Sequence, residues 1–173
     1  MIRKASFMVL GFFVLSCTVL TVVPGTKSIG SKFEGFSLRD TNGNIHKYQS
    51  LKGTKGTAVM FLSSRCPVVG RYDQCIDSIA RSYTARGINF IGIYSSDASS
   101  AQKRNFKTLI DDGGVVTNQL GARYTPELFV FSEADLLVYK GAIDDNSTGR
   151  GVSNHYARIA LESVLAGAGV VNS

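Results

Sequence analysis

The sequence has few side chains that suit metal binding or disulfide cross-linking. It contains three cysteines and two histidines in 173 residues. Because Cys17 lies in an apolar N-terminal segment, only Cys66 and Cys75 remain for the rest of the chain, too few for a disulfide scaffold. His46 and His155 are far apart, and no pair of cysteines or histidines has the spacing of metal ligands. We therefore expect neither a metal nor another cofactor.

Several signatures of common enzyme and binding classes are also missing. The sequence has no P-loop, no G-x-S-x-G motif and no dinucleotide-binding fingerprint. Its 19 lysines and arginines outnumber its 13 acidic residues, but they are scattered and not clustered. Scattered basic residues are typical of a solvated surface, so we expect no nucleic-acid partner.

The first 26 residues form a targeting or anchoring segment. Arg3 and Lys4 precede an uncharged stretch that runs from Ala5 to Thr26. This pattern indicates a signal peptide, although the stretch is also long enough for an uncleaved membrane anchor. Val14-Leu15-Ser16-Cys17 resembles a bacterial lipobox, which makes Cys17 a candidate for lipidation. Under all three alternatives the domain is exported, and it is periplasmic or anchored outside the cytoplasmic membrane of a bacterium.

The remaining chain predicts one α/β domain at 36–167, with a linker at 27–35 before it and a tail at 168–173 after it. Strands alternate with helices, and an antiparallel pair and a last helix complete the domain, as in an α/β sandwich. The patterns predict strands at 36–39, 45–48, 57–63, 88–94, 106–110, 127–131 and 136–140, of which 106–110 is expected at a sheet edge. They predict helices at 66–86, 115–122 and 154–166 and a short helix within 97–105.

Cys66 is the candidate nucleophile because it lies between the strand at 57–63 and Pro67, which opens a helix. Free backbone N–H groups and the positive end of the helix dipole lower the pKa of a thiol at this position. Proline suits the first helical turn, and Arg65 would also favour the thiolate. Ser63 could donate a hydrogen bond to the sulfur or to a bound peroxide, or it could cap the strand end. The alternative is a buried cysteine that acts as a small apolar residue.

Cys66-Pro67 after a strand, together with Thr125-Pro126 before a later strand, resembles the thioredoxin-like fold. The closest resemblance is to the redoxin family, which includes alkyl hydroperoxide reductases and thiol-specific antioxidant proteins. It covers residues from about 33 to 167, with matching segments at 36–40, 51–53, 120–127 and 139–145. It implies a three-layer sandwich with a mixed central sheet, an N-terminal β-hairpin and flanking helices. It also implies that Pro126 is cis and that Thr125 binds an extended substrate beside the cysteine.

The sequence departs from both familiar redox patterns. Val69 stands where thioredoxins carry their second cysteine, so an external thiol or a thioredoxin-type reductant is needed for turnover. Ser63 fits the peroxiredoxin motif, whereas Val59 replaces its proline. Pro126 stands where peroxiredoxins have an arginine near the site, and Arg123 is the nearby candidate for substrate binding.

Cys75 is a candidate for resolving an oxidised Cys66. Nine helical residues separate the two by roughly 13 Å, whereas a disulfide requires Cα atoms within about 7 Å. We therefore favour a packed structural cysteine. Glu127, at the start of the strand after Pro126, could relay protons near the thiol, but we favour a solvated strand-end carboxylate.

These observations predict an exported, thiol-dependent oxidoreductase or antioxidant that uses Cys66 as its single nucleophile on a peroxide or a protein disulfide. One alternative is a one-cysteine peroxidase. The other is a non-catalytic module that binds an extended peptide at the Thr125-Pro126 edge.

Overall fold

The computed structural model describes residues 27–95, 103–148 and 151–168. Seven strands form one sheet, and helices pack on both of its faces. The elements are β1 (Ser37–Arg39), β2 (Ile45–Lys47), α1 (Tyr48–Leu51), β3 (Gly56–Leu62), α2 (Pro67–Thr84), β4 (Ile88–Ser95), β5 (Lys107–Asp111), α3 (Val115–Leu120), β6 (Glu127–Ser132), β7 (Leu137–Gly141) and α4 (Tyr156–Leu165). The predicted thioredoxin-like three-layer α/β sandwich is confirmed.

The central sheet is mixed, with the strand order β2-β1-β5-β4-β3-β6-β7. The three inner strands β5, β4 and β3 are parallel, and the strands on either side of them are antiparallel. Met60 at the centre of β3 lies opposite Gly92 of β4 and Leu128 of β6. The predicted N-terminal hairpin is formed by β1 and β2. This order places the end of β3, where the candidate nucleophile follows, in the middle of the sheet.

The strand predicted at 106–110 is internal, so its assignment to a sheet edge was wrong. β5 pairs with β4 on one side and with β1 on the other, where Arg39 lies opposite Ile110. Leu109 is fully buried there. Strand spacing along the chain could not show that the N-terminal hairpin returns to cover this strand.

Alternation along β3 explains the two hydrophobic layers. Ala58, Met60 and Leu62 face α2 and α4, whereas Val59 and Phe61 face the opposite layer, which contains α3. All seven residues of β3 are buried, because period-two alternation fills both faces of a central strand.

The sequence of α2 fixes its position on the sheet. Pro67 occupies the first helical turn, where its missing N–H costs no hydrogen bond. Gly87, with φ of 96°, follows the end of the helix, and a Cβ there would lie 2.7 Å from Thr54 Oγ1. The helix buries an apolar stripe against the sheet, formed by Val69, Tyr72, Ile76, Ile79, Ala80 and Tyr83.

Residues 27–35, predicted as a linker, pack against the domain. The ring of Phe33 is 1% exposed and stacks on Phe131 with centroids 4.7 Å apart. Its N–H donates to the Asp135 carbonyl (2.9 Å), and the Gly30 N–H donates to the Leu137 carbonyl (2.7 Å). Because these bonds attach the segment to the β6–β7 hairpin, it belongs to the folded unit.

Three predictions fall wholly or partly outside the described residues. These are the leader at 1–26 with Cys17, most of the short helix at 97–105, and most of the tail at 168–173. Residues 103–105, which are described, are not helical. Among the described helices, none has the length and hydrophobicity needed to cross a membrane.

Candidate active site

Cys66 is the N-cap residue of α2, at the end of a tight turn after β3. Its N–H donates to the Ser63 carbonyl (3.2 Å), and its own carbonyl accepts from the Gly70 N–H (3.4 Å). The Ser63 hydroxyl oxygen accepts from the Arg65 N–H (3.3 Å), so it caps the turn. These bonds hold the thiol at the N-terminal end of the helix, as the sequence predicts.

Pro126 lies next to this thiol, and the Thr125–Pro126 peptide bond is cis as predicted. The Cys66 thiol donates to the Thr125 carbonyl oxygen at 3.1 Å. Residues 59 positions apart in the chain are thus brought together, because β3 and β6 are neighbours in the sheet. The backbone of Thr125 therefore forms one wall beside the sulfur.

The surroundings of Cys66 favour its thiolate. Partial burial acts to raise the pKa, but this effect is exceeded by a hydrogen bond with the Thr125 side chain, by the N–H groups of Val69 and Val68, and by the charge of Arg71. Together they hold the pKa of the Cys66 thiol below its ordinary value. Ionisation breaks the bond to the Thr125 carbonyl, and the helical N–H groups then stabilise the anion.

Arg71 is a cation that acts on Cys66, and no sequence pattern had indicated it. Arg71 lies more than one turn into α2, and its Nε–H donates to the Ser147 carbonyl (3.3 Å). Arg65, the predicted cation, is exposed on the preceding turn. Arg71 could have been selected from the sequence only by knowing that the 141–148 segment folds back onto α2.

An apolar groove with a volume of about 260 Å³ lies on the Pro126 side of Cys66. One wall comes from α2, the second from the residues before β6, and the third from the segment after β7. Its lining consists of Val68, Tyr72, Tyr124, Thr125, Pro126, Ala142, Ile143, Asp144 and Ser147. We call it the Pro126 groove.

The third wall of this groove is fixed to α2 by Tyr72. The Tyr72 hydroxyl lies within hydrogen-bonding distance of the Asp144 carboxylate and the Asn146 carbonyl. Burial and, after it, the bond to Asp144 raise the pKa of Tyr72 above its ordinary range. Asp144 is 8% exposed and anchors the segment after β7.

A second cavity of about 260 Å³ opens on the other side of Cys66. It is more polar, and its lining comes from the turn after β3, the first turns of α2, the end of β4 and the residues before β5. The lining residues are Ser63, Ser64, Arg65, Cys66, Pro67, Val69, Gly70, Asp73, Tyr94 and Arg104. We call it the polar cavity.

Arg104 is the buried cation of the polar cavity, with a side chain that is 1% exposed. Its guanidinium pairs with the carboxylates of Asp73 and Asp77 on α2. Among the described residues, its Nε is the buried side-chain atom that lacks a hydrogen-bond partner. No sequence motif pointed to Arg104, because its partners lie about thirty residues earlier on a different element.

Arg123, predicted to bind substrate, lines a third hollow together with Thr125, with a volume of about 310 Å³. Its N–H donates to Glu127 Oε2 at 2.6 Å. Glu127 is 2% exposed, so the expectation of a solvated carboxylate was wrong. The side chain instead turns inward and accepts the N–H groups of the loop that precedes Pro126.

Cys75 lies on α2, which runs without a break from Pro67 to Thr84. Both Cys66 and Cys75 are free thiols. Burial and, after it, the charge of Asp144 raise the pKa of Cys75. This environment makes Cys75 less reactive than Cys66. No group of three His, Cys, Asp or Glu side chains in the described ranges is placed to hold a metal ion.

A thioredoxin-like sandwich with an N-capping cysteine opposite a cis-proline defines a thiol-redox protein of the redoxin type. The profile of the AhpC/TSA family matches residues 29–140, and the chain belongs to that family. No curated protein matches the sequence.

Several solved structures have a similar fold. A hypothetical protein from Sinorhizobium meliloti is 27% identical with a TM-score of 0.74, covering 86% of this chain and 90% of that one. A secreted disulfide oxidoreductase from Mycobacterium tuberculosis is 16% identical with a TM-score of 0.57, covering 76% and 95%. The exposed lipoprotein thioredoxin of Streptococcus pneumoniae is 16% identical with a TM-score of 0.58, covering 74% and 98%.

Proposed function

We propose that this protein is a thiol–disulfide oxidoreductase that uses Cys66 as its single nucleophile. The Cys66 thiolate attacks one sulfur of a substrate disulfide and forms a mixed disulfide, and the other substrate sulfur leaves as a thiolate. An external thiol then attacks the Cys66 sulfur and releases the second substrate sulfur as a thiolate, and a second external thiol returns Cys66 to its reduced form as the two external thiols form a disulfide.

The observation that carries this proposal is the position of Cys66 at the N-terminus of α2, with its sulfur 3.1 Å from the Thr125 carbonyl beside cis-Pro126. The Thr125 side chain, the helical N–H groups and Arg71 lower the pKa of the thiol and thereby favour the nucleophilic thiolate. Val69 at the position of a second motif cysteine, together with the unreactive surroundings of Cys75, favours an external resolving thiol.

We further propose that the protein acts outside the cytoplasm. The uncharged stretch after Arg3 and Lys4 supports export. Two proteins of similar fold, the secreted mycobacterial oxidoreductase and the exposed pneumococcal thioredoxin, are extracytoplasmic according to their names. Fractionation of cells that express the full chain tests this, and recovery of the protein only in the cytoplasm would contradict it.

The catalytic proposal is tested with the full chain carrying Cys17→Ser and Cys75→Ser, so that Cys66 is the sole thiol. Incubation with a disulfide-bonded peptide at neutral pH should yield one mixed disulfide at Cys66, detected by mass spectrometry. A matched protein that keeps Cys75 but carries Cys66→Ser should form the adduct far more slowly. If Cys66 forms no adduct while the protein binds the peptide unchanged, the non-catalytic binding module replaces this proposal.

A second candidate function is the reduction of peroxides, and the polar cavity favours it. Ser63, three residues before Cys66, and the buried Arg104 both line this cavity beside the thiol. In this reaction the thiolate attacks a peroxide oxygen, the O–O bond breaks, and the departing oxygen takes a proton from solvent. Cys66 is left as a sulfenic acid, which two external thiols reduce with release of water and a disulfide.

Mass spectrometry after one equivalent of hydrogen peroxide distinguishes the two functions. A peroxidase would form the sulfenic acid at Cys66 faster than it forms the mixed disulfide with the peptide. Slow oxidation, at the rate of a free thiol of the same pKa, would exclude the peroxidase and leave the oxidoreductase.

A further inference from the structure

The two hollows beside Cys66 lie on opposite faces of α2. Val68 and Tyr72, four residues apart, line the Pro126 groove. Cys66, Gly70 and Asp73, spaced by four and three residues, line the polar cavity. Because residues three and four apart share a helix face, each set marks one face, and the two faces point in opposite directions.

The sheet divides the two hollows in the same way. The Pro126 groove takes its walls from the residues before β6 and after β7, whereas the polar cavity takes its walls from the end of β4 and the residues before β5. In the sheet, β4 and β6 flank β3 on opposite sides. Cys66 follows β3 and lines the polar cavity, and its sulfur lies 3.1 Å from the carbonyl oxygen of Thr125, which lines the Pro126 groove.

This arrangement suits the geometry of thiol–disulfide exchange. An attacking thiolate approaches a disulfide along the extension of its S–S bond, opposite the sulfur that leaves. If the substrate is held on the Pro126 side, the Cys66–substrate S–S bond points toward the groove. The sulfur of Cys66 is then open to attack from the opposite side, where the polar cavity lies.

We propose that the polar cavity admits the low-molecular-weight thiol that resolves the mixed disulfide, while the Pro126 groove holds the substrate. This inference rests on the proposed oxidoreductase function. The small thiolate attacks the Cys66 sulfur, the Cys66–substrate bond breaks, and the substrate leaves as a thiolate that takes up a proton from solvent. A second molecule of the small thiol then releases Cys66 as thiolate and forms a small-molecule disulfide.

The cavity also defines the class of thiol. Its volume of about 260 Å³ admits a small molecule but not a folded protein. Arg104 lines it as a buried cation, and its Nε is closed to solvent and has no partner among the described residues, so an oxygen acceptor that enters the cavity would satisfy this donor after a small shift of the side chain. The Ser63 hydroxyl can donate to an oxygen of the occupant, whereas the carboxylate of Asp73 is already paired with Arg104. We therefore assign the cavity to a small hydrophilic thiol with carboxylate or hydroxyl oxygens.

Gly70→Leu tests the assignment because it obstructs the cavity with little effect on the fold. A Cβ on Gly70 meets no atom within 4 Å, and leucine is a better helix former than glycine. The full chain with Cys66 as its sole thiol is first converted to the mixed disulfide with a peptide. The rate of peptide release by glutathione should fall about tenfold in Gly70→Leu, while the rate of adduct formation stays within about twofold.

Two matched leucine variants serve as controls. Ser78→Leu, at an exposed position two turns further along α2, should change neither rate. Ser147→Leu, at an exposed position that lines the Pro126 groove, should slow adduct formation more than release. Equal slowing of both steps by Gly70→Leu, or slowing of release only by Ser147→Leu, would overturn the assignment of the two hollows.

The thiol class is tested by measuring the rate of peptide release by glutathione and by cysteamine. Each release rate is divided by the rate at which the same thiol reduces a free peptide disulfide. The normalised rate should be higher for glutathione, which carries carboxylates, than for cysteamine, which has no oxygen; a glutathione-to-cysteamine ratio of one or less would overturn the role given to Arg104. If the protein that keeps Gly70 forms no mixed disulfide with the peptide, the proposed function fails. If the mixed disulfide forms but Gly70→Leu does not change the rate of peptide release, only this inference fails.

Discussion

At the scale of the residue, the reactivity of Cys66 depends on competition between two sets of neighbours. The Thr125 carbonyl accepts a hydrogen bond only from the protonated thiol, and partial burial also favours the neutral form. The hydrogen bond with the Thr125 side chain, the N–H groups of Val69 and Val68 and the charge of Arg71 favour the anion. The second set prevails, so the thiol is activated by Thr125 together with its neighbours on α2.

Replacing Arg71 with glutamine should therefore raise the pKa of Cys66 toward the value of an ordinary thiol, about 8.5. The rate at which iodoacetamide alkylates Cys66 is measured as a function of pH. The midpoint of this profile should lie at a higher pH than in the unmodified chain, and the alkylation rate at pH 7 should be lower. Arg65→Gln is the matched control and should shift the profile less. The larger shift in Arg65→Gln would show that the cation predicted from the sequence is the effective one.

At the scale of the element, α2 fixes the segment 141–148 that forms the outer wall of the Pro126 groove. Tyr72 reaches from the helix to Asp144 and Asn146, and Arg71 reaches to the Ser147 carbonyl. Adjacent residues of one helix thus activate the nucleophile and hold the groove.

Tyr72→Phe should lower the free energy of unfolding by about 1–3 kcal/mol, because it leaves the buried Asp144 carboxylate without its hydroxyl partner. Chemical denaturation measures this change. Tyr83→Phe is the control, since its partner Glu162 is 51% exposed and water can replace the lost bond. Equal losses in the two variants would mean that the burial of Asp144 does not determine the cost.

The N-terminal hairpin should be sensitive to acid because of Asp40. Its carboxylate is 6% exposed and lies 2.8 Å from His46 Nε2. The hydrogen bond with His46, and the N–H groups of Asn44 and Asn42, hold the pKa of Asp40 below its usual range despite burial.

Because the folded state lowers this pKa, the carboxylate stabilises the protein above the unfolded value of about 3.9, and the stabilisation is lost as the pH falls below it. Thermal unfolding of Asp40→Asn between pH 6 and pH 2.5 should show a smaller loss of stability with acid than the unmodified chain. Parallel curves for the two proteins would exclude this role of Asp40.

At the scale of the whole molecule, the domain begins before its first strand. Phe33→Ala should cost about 3–5 kcal/mol of unfolding free energy, because the ring is buried against Phe131 and Tyr48. Glu34→Ala, at the exposed neighbouring position, should cost far less. Denaturant titration of both variants decides whether residues 27–35 stabilise the domain, and a small cost for Phe33→Ala would restore the linker interpretation.

The elements could be predicted from the sequence because their patterns are local. Alternation along β3, the apolar stripe of α2 and the Cys66-Pro67 junction all lie within short windows. The wall residues could not be predicted, because Arg71, Asp144 and Arg104 acquire their roles through contacts between distant segments. The position of β5 was mistaken for the same reason, since its second neighbour comes from the start of the domain.

The pairing of β1 with β5 has a consequence during synthesis of the chain. The hairpin of β1 and β2 is translated early, but its partner strand Lys107–Asp111 emerges only after β3, α2 and β4. Until then, the edge of β1 that will meet β5 has no partner in the sheet. Nascent chains interrupted before β5 should therefore expose a strand edge open to pairing with other chains, and a chaperone that covers such edges would act in this interval.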